Sequence, residues 1–476
     1  MALDTIRDKS HILILTAICL GAVITPIMNS MVTVFLPVMY AEFNVSTAEM
    51  GLMKTSYMLA GIIFMLPAIK VVEKLGYKKS FLLGAAAFAI LLFLSAFTPN
   101  YPYLLTMRIL TGFFIVFVQI TGLAILKCIF APEQQGFAIG IYTAGMSIAS
   151  FVGPLFGGVL TEFLDWRVNF LITIPFLLLS CVLLFISLRG KEYYGKKTRS
   201  DWAGYVLFGC MTFCLMNGLA GFDEPFALHF IVAGILFLIG FIICERKVKA
   251  PALNLQLFSR NKQFTRASVA LLLSYCSTTG ITDIISLYLQ YIGKLTPTET
   301  SIIFLLQPAI QIVGSPLVGK LADKMETKHL TVSGMGLIML GALFLSGAGW
   351  IPIPPVIHVL IGFGLLGIGV VLFSAPNTKL VMGSVSREDA ATASGLIAVL
   401  RKIGGLLSVA ISMKVLSLGL SNAGNGAAES VFTSGMQAAM LVCAAFAFIG
   451  MLFSWFKERK PSEIEGGGKA LGGASK

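Results

Sequence analysis

Asp283, in Gly280-Ile281-Thr282-Asp283-Ile284, is the only carboxylate set well inside a long apolar run of this sequence. Counted from about residue 266, it lies about 25 Å along a helix that rises 1.5 Å per residue. A carboxylate at that depth in a bilayer costs about 2.5 kcal/mol or more unless it pairs, meets water or takes a proton. A carboxyl group that takes and gives up a proton is what a proton carrier needs. The plainer alternative is a structural ion pair, or a residue near the outer surface. Arg108 stands some six residues inside another apolar run, where it can tune a neighbouring carboxylate or bond backbone carbonyls. Lys54 lies near the outer end of its run and can snorkel to the interface or pair with Asp283. Arg401 and Lys402 fall in the inner third of a later run and read as structural or snorkelling residues.

Polar side chains inside the runs are candidates for a substrate cavity: Asn29, Tyr57, Gln119, Tyr142, Asn217, Gln290, Gln307 and Gln311. Each has the competing role of a helix–helix hydrogen-bond partner. The 36 phenylalanines and 20 methionines suit an adaptable apolar cavity, although most must face lipid or core. No Gly-x-x-x-x-Gly-Lys-Ser/Thr sequence occurs, so energy is expected from an ion or solute gradient rather than a bound nucleotide. Each elementary charge crossing the membrane supplies about 2.3 kcal/mol per 100 mV. The four histidines and eight cysteines show no metal-ligand spacing. Neither metal nor cofactor is expected, and no enzymatic activity.

The composition says what must position these groups. Only 12% of the 476 residues are charged and 57% are hydrophobic, with mean hydropathy +0.87. A soluble domain carries about 25% charged residues, so a water-soluble enzyme is excluded. Fourteen runs are long enough to cross a bilayer, each needing about 20 apolar residues. The first is read as a retained helix rather than a cleaved leader. The net charge of +12 would suggest nucleic acid in a soluble protein, but here the bases cluster on alternate connections. Lys74/Lys78/Lys79, Lys127, the 189–199 and 246–262 groups, Lys320/Lys324/Lys328 and Lys379/Arg387 fall on even-numbered ones. Arg167 and Lys294 are the main exceptions. The positive-inside rule then predicts two cytoplasmic termini in the cell membrane. Long basic segments at 189–201 and 245–265 bracket helices seven and eight. The expected organisation is a six-helix bundle over 1–188, a two-helix insert with its basic loops over 189–265, a second six-helix bundle over 266–460 and a disordered tail over 461–476.

A short repeat supports two related halves. Glu73-Lys74-Leu75-Gly76-Tyr77-Lys78-Lys79 follows the second run, and Gly319-Lys320-Leu321-Ala322-Asp323-Lys324, with Lys328, follows the tenth. Acid beside base at equivalent points reads either as a charged latch between helix ends or as a solvated turn. Arg108-x-x-x-Gly112 lies in the fourth run, and the fifth carries Gly140, Ala149, Gly153-Pro154 and Gly157-Gly158. Trp166-Arg167 opens the sixth, and Ala393-Ser394-Gly395 through Gly404-Gly405 marks the thirteenth. In this order the motifs resemble the major facilitator superfamily, within it the fourteen-helix drug:proton antiporters, over nearly the whole chain. The resemblance implies an all-α membrane fold of two six-helix bundles plus a two-helix insert. It also implies signature gating loops, an antiporter motif in the fifth helix and a coupling role for Arg108.

Several positions depart from the resembled pattern. Met28 stands where an acid is usual in the first helix, Ile69 replaces glycine, Glu73 replaces aspartate and Tyr77 replaces arginine in the first signature loop. The functional expectation is proton-coupled efflux of lipophilic or cationic compounds by alternating access, with Asp283 as carrier. The partners expected are a small-molecule substrate, protons and the lipid bilayer, with no nucleic acid, and a monomer suffices. The missing first-helix acid keeps open a transporter of a specific metabolite, siderophore or lipid precursor. A non-transporting receptor or scaffold is the remaining class.

Overall fold

The computed structural model describes residues 9–43, 47–190, 192–195, 201–220, 226–248, 258–259, 261–350, 352–422 and 428–455. The expected tail over 461–476 and both termini lie outside them, as do 249–257 and 260 of the basic segment 245–265. The described residues are almost wholly helical. In chain order the helices are α1 (Lys9–Phe43), α2 (Thr47–Ile63), α3 (Met65–Leu75), α4 (Tyr77–Ala96), α5 (Tyr101–Ile129) and α6 (Pro132–Phe163). Then come α7 (Val168–Ser187), α8 (Trp202–Ala220), α9 (Ala227–Lys247), α10 (Lys262–Tyr291) and α11 (Pro297–Phe304). The last are α12 (Leu306–Ala322), α13 (Thr327–Ser346), α14 (Pro355–Gly383), α15 (Ala390–Asn422) and α16 (Ala428–Ser454).

Thirteen spans among the described residues are long and apolar enough to cross a membrane, and fourteen if α2 and α3 count as one bent span. The 52° bend between those two has a local cause. Pro67 has no N–H to give the carbonyl of Ile63, and α2 ends at that residue. Starts are set by side chains that take up free N–H groups. Asn100 accepts from the Tyr103 amide at 3.0 Å, Asn261 accepts from Phe264 at 3.0 Å, and Thr296 with Glu299 forms a reciprocal capping box.

The chain divides into two compact units. One comprises 1–130, 141–255 and 387–402, and the other 131–140, 256–386 and 403–476. The two-helix insert, α8 against α9, belongs to the first unit. The start of α6 is grouped with the second, and the start of α15 with the first.

In lipid, apolar side chains gain little by packing on each other, so close backbone approach and interhelical hydrogen bonds supply the specificity. In the first unit α6 crosses α1 at Gly153 and Gly157. A Cβ at Gly153 would stand 2.7 Å from Ser30 Cβ, and one at Gly157 would stand 3.0 Å from Met31 Cα. Pro154 lies inside α6 between them. The hydroxyl of Ser180 donates to the Ala17 carbonyl at 2.6 Å, tying α7 to α1. In the second unit the Gly280 amide donates to Ser408 Oγ at 2.7 Å, and Asn377 Nδ2 donates to the Ala267 carbonyl at 3.0 Å.

The α1 end and the α6–α7 turn are joined by charge. Trp166 Nε1 donates to Glu42 Oε2 at 2.6 Å, and Arg167 Nη2 bonds Glu42 Oε1 at 2.5 Å. The Arg167 hydrogen bond holds the Glu42 carboxyl below the usual glutamate range, with Trp166 adding to it. A depressed carboxyl pKa stabilises the fold above the unfolded value and loses that contribution as pH falls through the folded one. Both partners are more than a quarter exposed, so the effect stays under about 1 kcal/mol. Glu42→Gln is expected to lower the thermal midpoint slightly at neutral pH. Melts of both proteins across pH should converge below the ordinary glutamate range, and an acid-independent gap would contradict this account.

Candidate functional site

The second signature loop is built around the Asp323 carboxylate, which is 7% exposed. Its Oδ1 accepts from the Gly136 amide at 2.8 Å and Oδ2 from the Phe137 amide at 2.8 Å, both in the first turns of α6. Lys379 Nζ, on α14, lies 2.7 Å from Oδ1 and also donates to the Ala322 carbonyl at 2.7 Å. An anion beside the N-terminal end of a helix is favoured by the amides and by the helix dipole. Gly319 lets α12 reach α6: a Cβ there would overlap the Gly136 carbonyl, and one at Gly140 would overlap the Ser315 carbonyl. The sequence placed Lys324 and Lys328 beside this acid. Lys324 is exposed, and Lys328 lies over the Trp455 ring at 5.2 Å. The partner is instead Lys379, which looks like a loop base in the sequence but sits near the end of α14.

The first signature loop repeats this plan with different atoms, inside the other unit. Glu73 is 1% exposed, pairs with Lys70 at 2.9 Å and accepts from Thr392 Oγ1 at 2.7 Å, near the start of α15. The expected bases lie elsewhere. Lys79 is exposed, and Lys78 Nζ donates to the Leu188 carbonyl at 2.9 Å. The side chain of Lys74 is exposed. Gly76 turns the chain at φ +91°, and two residues on, the Lys78 amide donates to Glu192 Oε1 at 2.9 Å. Ile69, the residue that replaces glycine, is 1% exposed and fills the space left by Gly395, where a Cβ would come within 2.5 Å of Ile69 Cδ1. The glycine missing from one helix is supplied by the other.

The polar candidates separate into groups. In the second unit a cavity of ≈ 210 Å³ is lined by hydroxyls of α10 (Ser274, Tyr275, Thr278, Thr279, Thr282), by Gln307 and Gln311, and by part of α14, with no charged lining residue. Asp283 follows Thr282 and stands one turn from Thr279 on the same helix, its side chain exposed. Gln290 is exposed and donates to Ser286 Oγ at 3.1 Å, away from that lining.

In the first unit Gln119 donates to Thr25 Oγ1 at 3.3 Å, and Tyr142 is 5% exposed. Asn29 is half-buried, and Asn217 is tied to its own helix at Phe213. Arg108 is 2% exposed and stacks its guanidinium 4.8 Å from the Tyr57 ring centroid. Lys54 is helical, and its side chain lies outside the described residues. Met28, at the position of the absent acid, is fully buried with its sulfur 3.6 Å from Thr173 Oγ1 on α7. Lys402 does not snorkel: its Nζ is buried and points at Gly61, where a Cβ would stand 2.6 Å away.

Spanning helices in two units, buried carboxylates bonded at helix starts and a polar cavity are the setting in which the comparisons place a membrane transporter. The chain belongs to the Major Facilitator Superfamily, whose family model matches residues 18–409. It is 24% identical over 457 residues to the riboflavin transporter RibZ of Clostridioides difficile, covering 95% of this chain and 98% of that one. It is 28% identical over 429 residues to the multidrug resistance protein Stp of Mycobacterium tuberculosis, covering 87% and 77%. Among solved structures, the transporter FucP in its outward conformation superposes with a TM-score of 0.65 at 15% identity, covering 94% of this chain and 98% of FucP.

The two signature loops should respond differently to a single methyl group. Gly319→Ala meets backbone and is expected to abolish accumulation of folded protein or transport. Gly395→Ala meets first the flexible end of Ile69, so Ile69→Ala in the same chain should restore much of the loss. Fluorescence-detected size exclusion of the three variants checks this, and a failure of Ile69→Ala to rescue would refute the knob-and-hole reading.

Proposed function

We propose that this chain is a proton-coupled exporter of lipophilic small molecules that works by alternating access. The observation that carries the proposal is Asp283 standing one helical turn from the uncharged polar cavity, on the helix that supplies most of its hydroxyls. Protonation there would alter the hydration and hydrogen bonding of the cavity mouth, which links proton and solute. The Gly-Pro segment of α6 favours the export direction, by resemblance to the antiporter motif. Drug-resistance proteins among the relatives favour it too. The Asp323 and Glu73 clusters act as latches, Asp323 at the start of α6 and Glu73 at the start of α15, biasing which face is open.

One observation favours a second reading, a transporter of a specific metabolite. Five threonine and serine hydroxyls, two glutamines and a tyrosine around one cavity suit a solute recognised by several hydrogen bonds. The full-length relative named as a riboflavin transporter accords with that.

Everted vesicles should accumulate a lipophilic dye when an inside-acid gradient is imposed, and Asp283→Asn should abolish that uptake while counterflow exchange persists. Undiminished gradient-driven uptake in the variant would remove Asp283 as the carrier. A competition series with riboflavin and drug-like dyes separates the two substrate readings.

A further inference from the structure

Two cations are buried in the first unit without a counter-charge. Arg108 is 2% exposed, its Nε has no hydrogen-bond partner, and its guanidinium stacks on the face of Tyr57. Lys402 Nζ is inaccessible and also has no hydrogen-bond partner. Neither takes part in any ion pair among the described residues. The acid Glu73 is occupied by Lys70 and Thr392; the other buried carboxylates described in this unit are Asp201, whose Oδ1 caps its own helix at Gly204, and Glu245 near the end of α9.

The two cations bear on one seam. Arg108 lies against Tyr57, and Lys402 Nζ against Gly61, one turn further along α2, about 6 Å of helix rise. The seam is closed by Gly112 of α5, where a Cβ would overlap the Tyr57 carbonyl. Gly61 makes room for the ammonium itself, since a Cβ there would come within 2.6 Å of Nζ.

A buried charge without a partner is strongly unfavourable, and two of like sign more so. A guanidinium with a free Nε offers a planar fork to an oxyanion, and an ammonium adds up to three donors from another direction. We propose that Arg108 and Lys402, with Tyr57 as the aromatic wall, form a binding site for the oxyanion of a solute: an organic anion carrying a carboxylate or phosphate. The anion supplies the missing counter-charge. Met28 fits this assignment, because a first-helix carboxylate would favour cations and this chain has none at that position. The site is independent of the proton coupling proposed above.

The test is thermal unfolding of the purified full chain in nanodiscs of zwitterionic lipid, at fixed ionic strength. The probes are benzoate, its neutral and cationic isosteres benzamide and benzamidine, and inorganic phosphate. Benzoate or phosphate should raise the midpoint saturably by several degrees, and benzamide and benzamidine should not. Lys402→Met should raise the midpoint of the ligand-free protein, since it removes an unpaired buried charge, and should cancel the anion response. Lys402→Arg should keep the response. If Lys402→Met does not fold, Gly61→Ala, which puts a methyl group in the room the ammonium takes, should cancel the response in its place. Equal stabilisation by benzamide or benzamidine, no response to either anion, or an undiminished response in Lys402→Met or Gly61→Ala would overturn the proposal. The readout involves no gradient, so its failure is distinct from a failure of proton coupling.

Discussion

The carboxylate of Asp323 is held from three directions, by two successive backbone amides and by an ammonium. That arrangement carries the constraint under which the rest of the molecule is built. In hydrocarbon a charge cannot be left to solvent, so each one must be matched by another charge, by backbone dipoles or by something that arrives from outside. At Asp323 the match is internal and complete: Gly136 N, Phe137 N and Lys379 Nζ account for both oxygens. At Glu73 it is also internal, through Lys70 and Thr392. Among the described residues, Arg108 and Lys402 are buried cations for which that match is missing. Complete pairing fits a structural or gating role, and incomplete pairing fits a site whose occupant comes and goes.

The two signature loops show how a repeat can diverge without losing its physics. Asp323 is short and is reached because Gly319 brings α12 against the α6 backbone. Glu73 has one more methylene and reaches a side-chain hydroxyl, while Ile69 adds bulk where Gly319 has none. Gly395 accommodates that bulk from the opposite helix. Glutamate for aspartate and isoleucine for glycine are therefore linked to one helix separation, and the loop that looks degraded in sequence is a packed equivalent.

The bilayer spans were legible because length and hydropathy decide them. Each of the fourteen apolar runs corresponds to a helix or a bent helix pair in the described residues. Pairing partners were not legible, because sequence proximity is a poor guide to which base meets which acid. Lys324 and Lys74 are next to their acids in the chain, yet the described ion pairs are made by Lys379 and Lys70. Lys70 is three residues before Glu73 on the same helix face, a spacing that does carry that signal. Nothing in the sequence marks Lys379, since its contact is made by the crossing of α12 and α14. The cavity was partly legible: Gln307 and Gln311 line it, but the hydroxyls of α10 that make up most of its polarity look like ordinary helix-packing residues. Gln290, on the same helix, has the right chemistry and the wrong face.

Lys402 shows why depth alone misleads. A lysine in the inner third of a span has a stem long enough to reach the interface, and snorkelling is its lowest-cost solution when the path is open. Here Gly61 provides a niche for the ammonium within the helix seam, and Nζ stays there without a hydrogen bond. Alanine at position 61 would put a methyl group where the ammonium sits. Glycine at that position and lysine at 402 therefore make sense together only if the charge is wanted in the interior. The same reasoning applies to Met28. A carboxylate at that buried position, against Thr173, would add a negative charge with no described base beside it. The unmatched positive charge on one seam and the absent negative charge on the first helix together give the first unit a net demand for an anion.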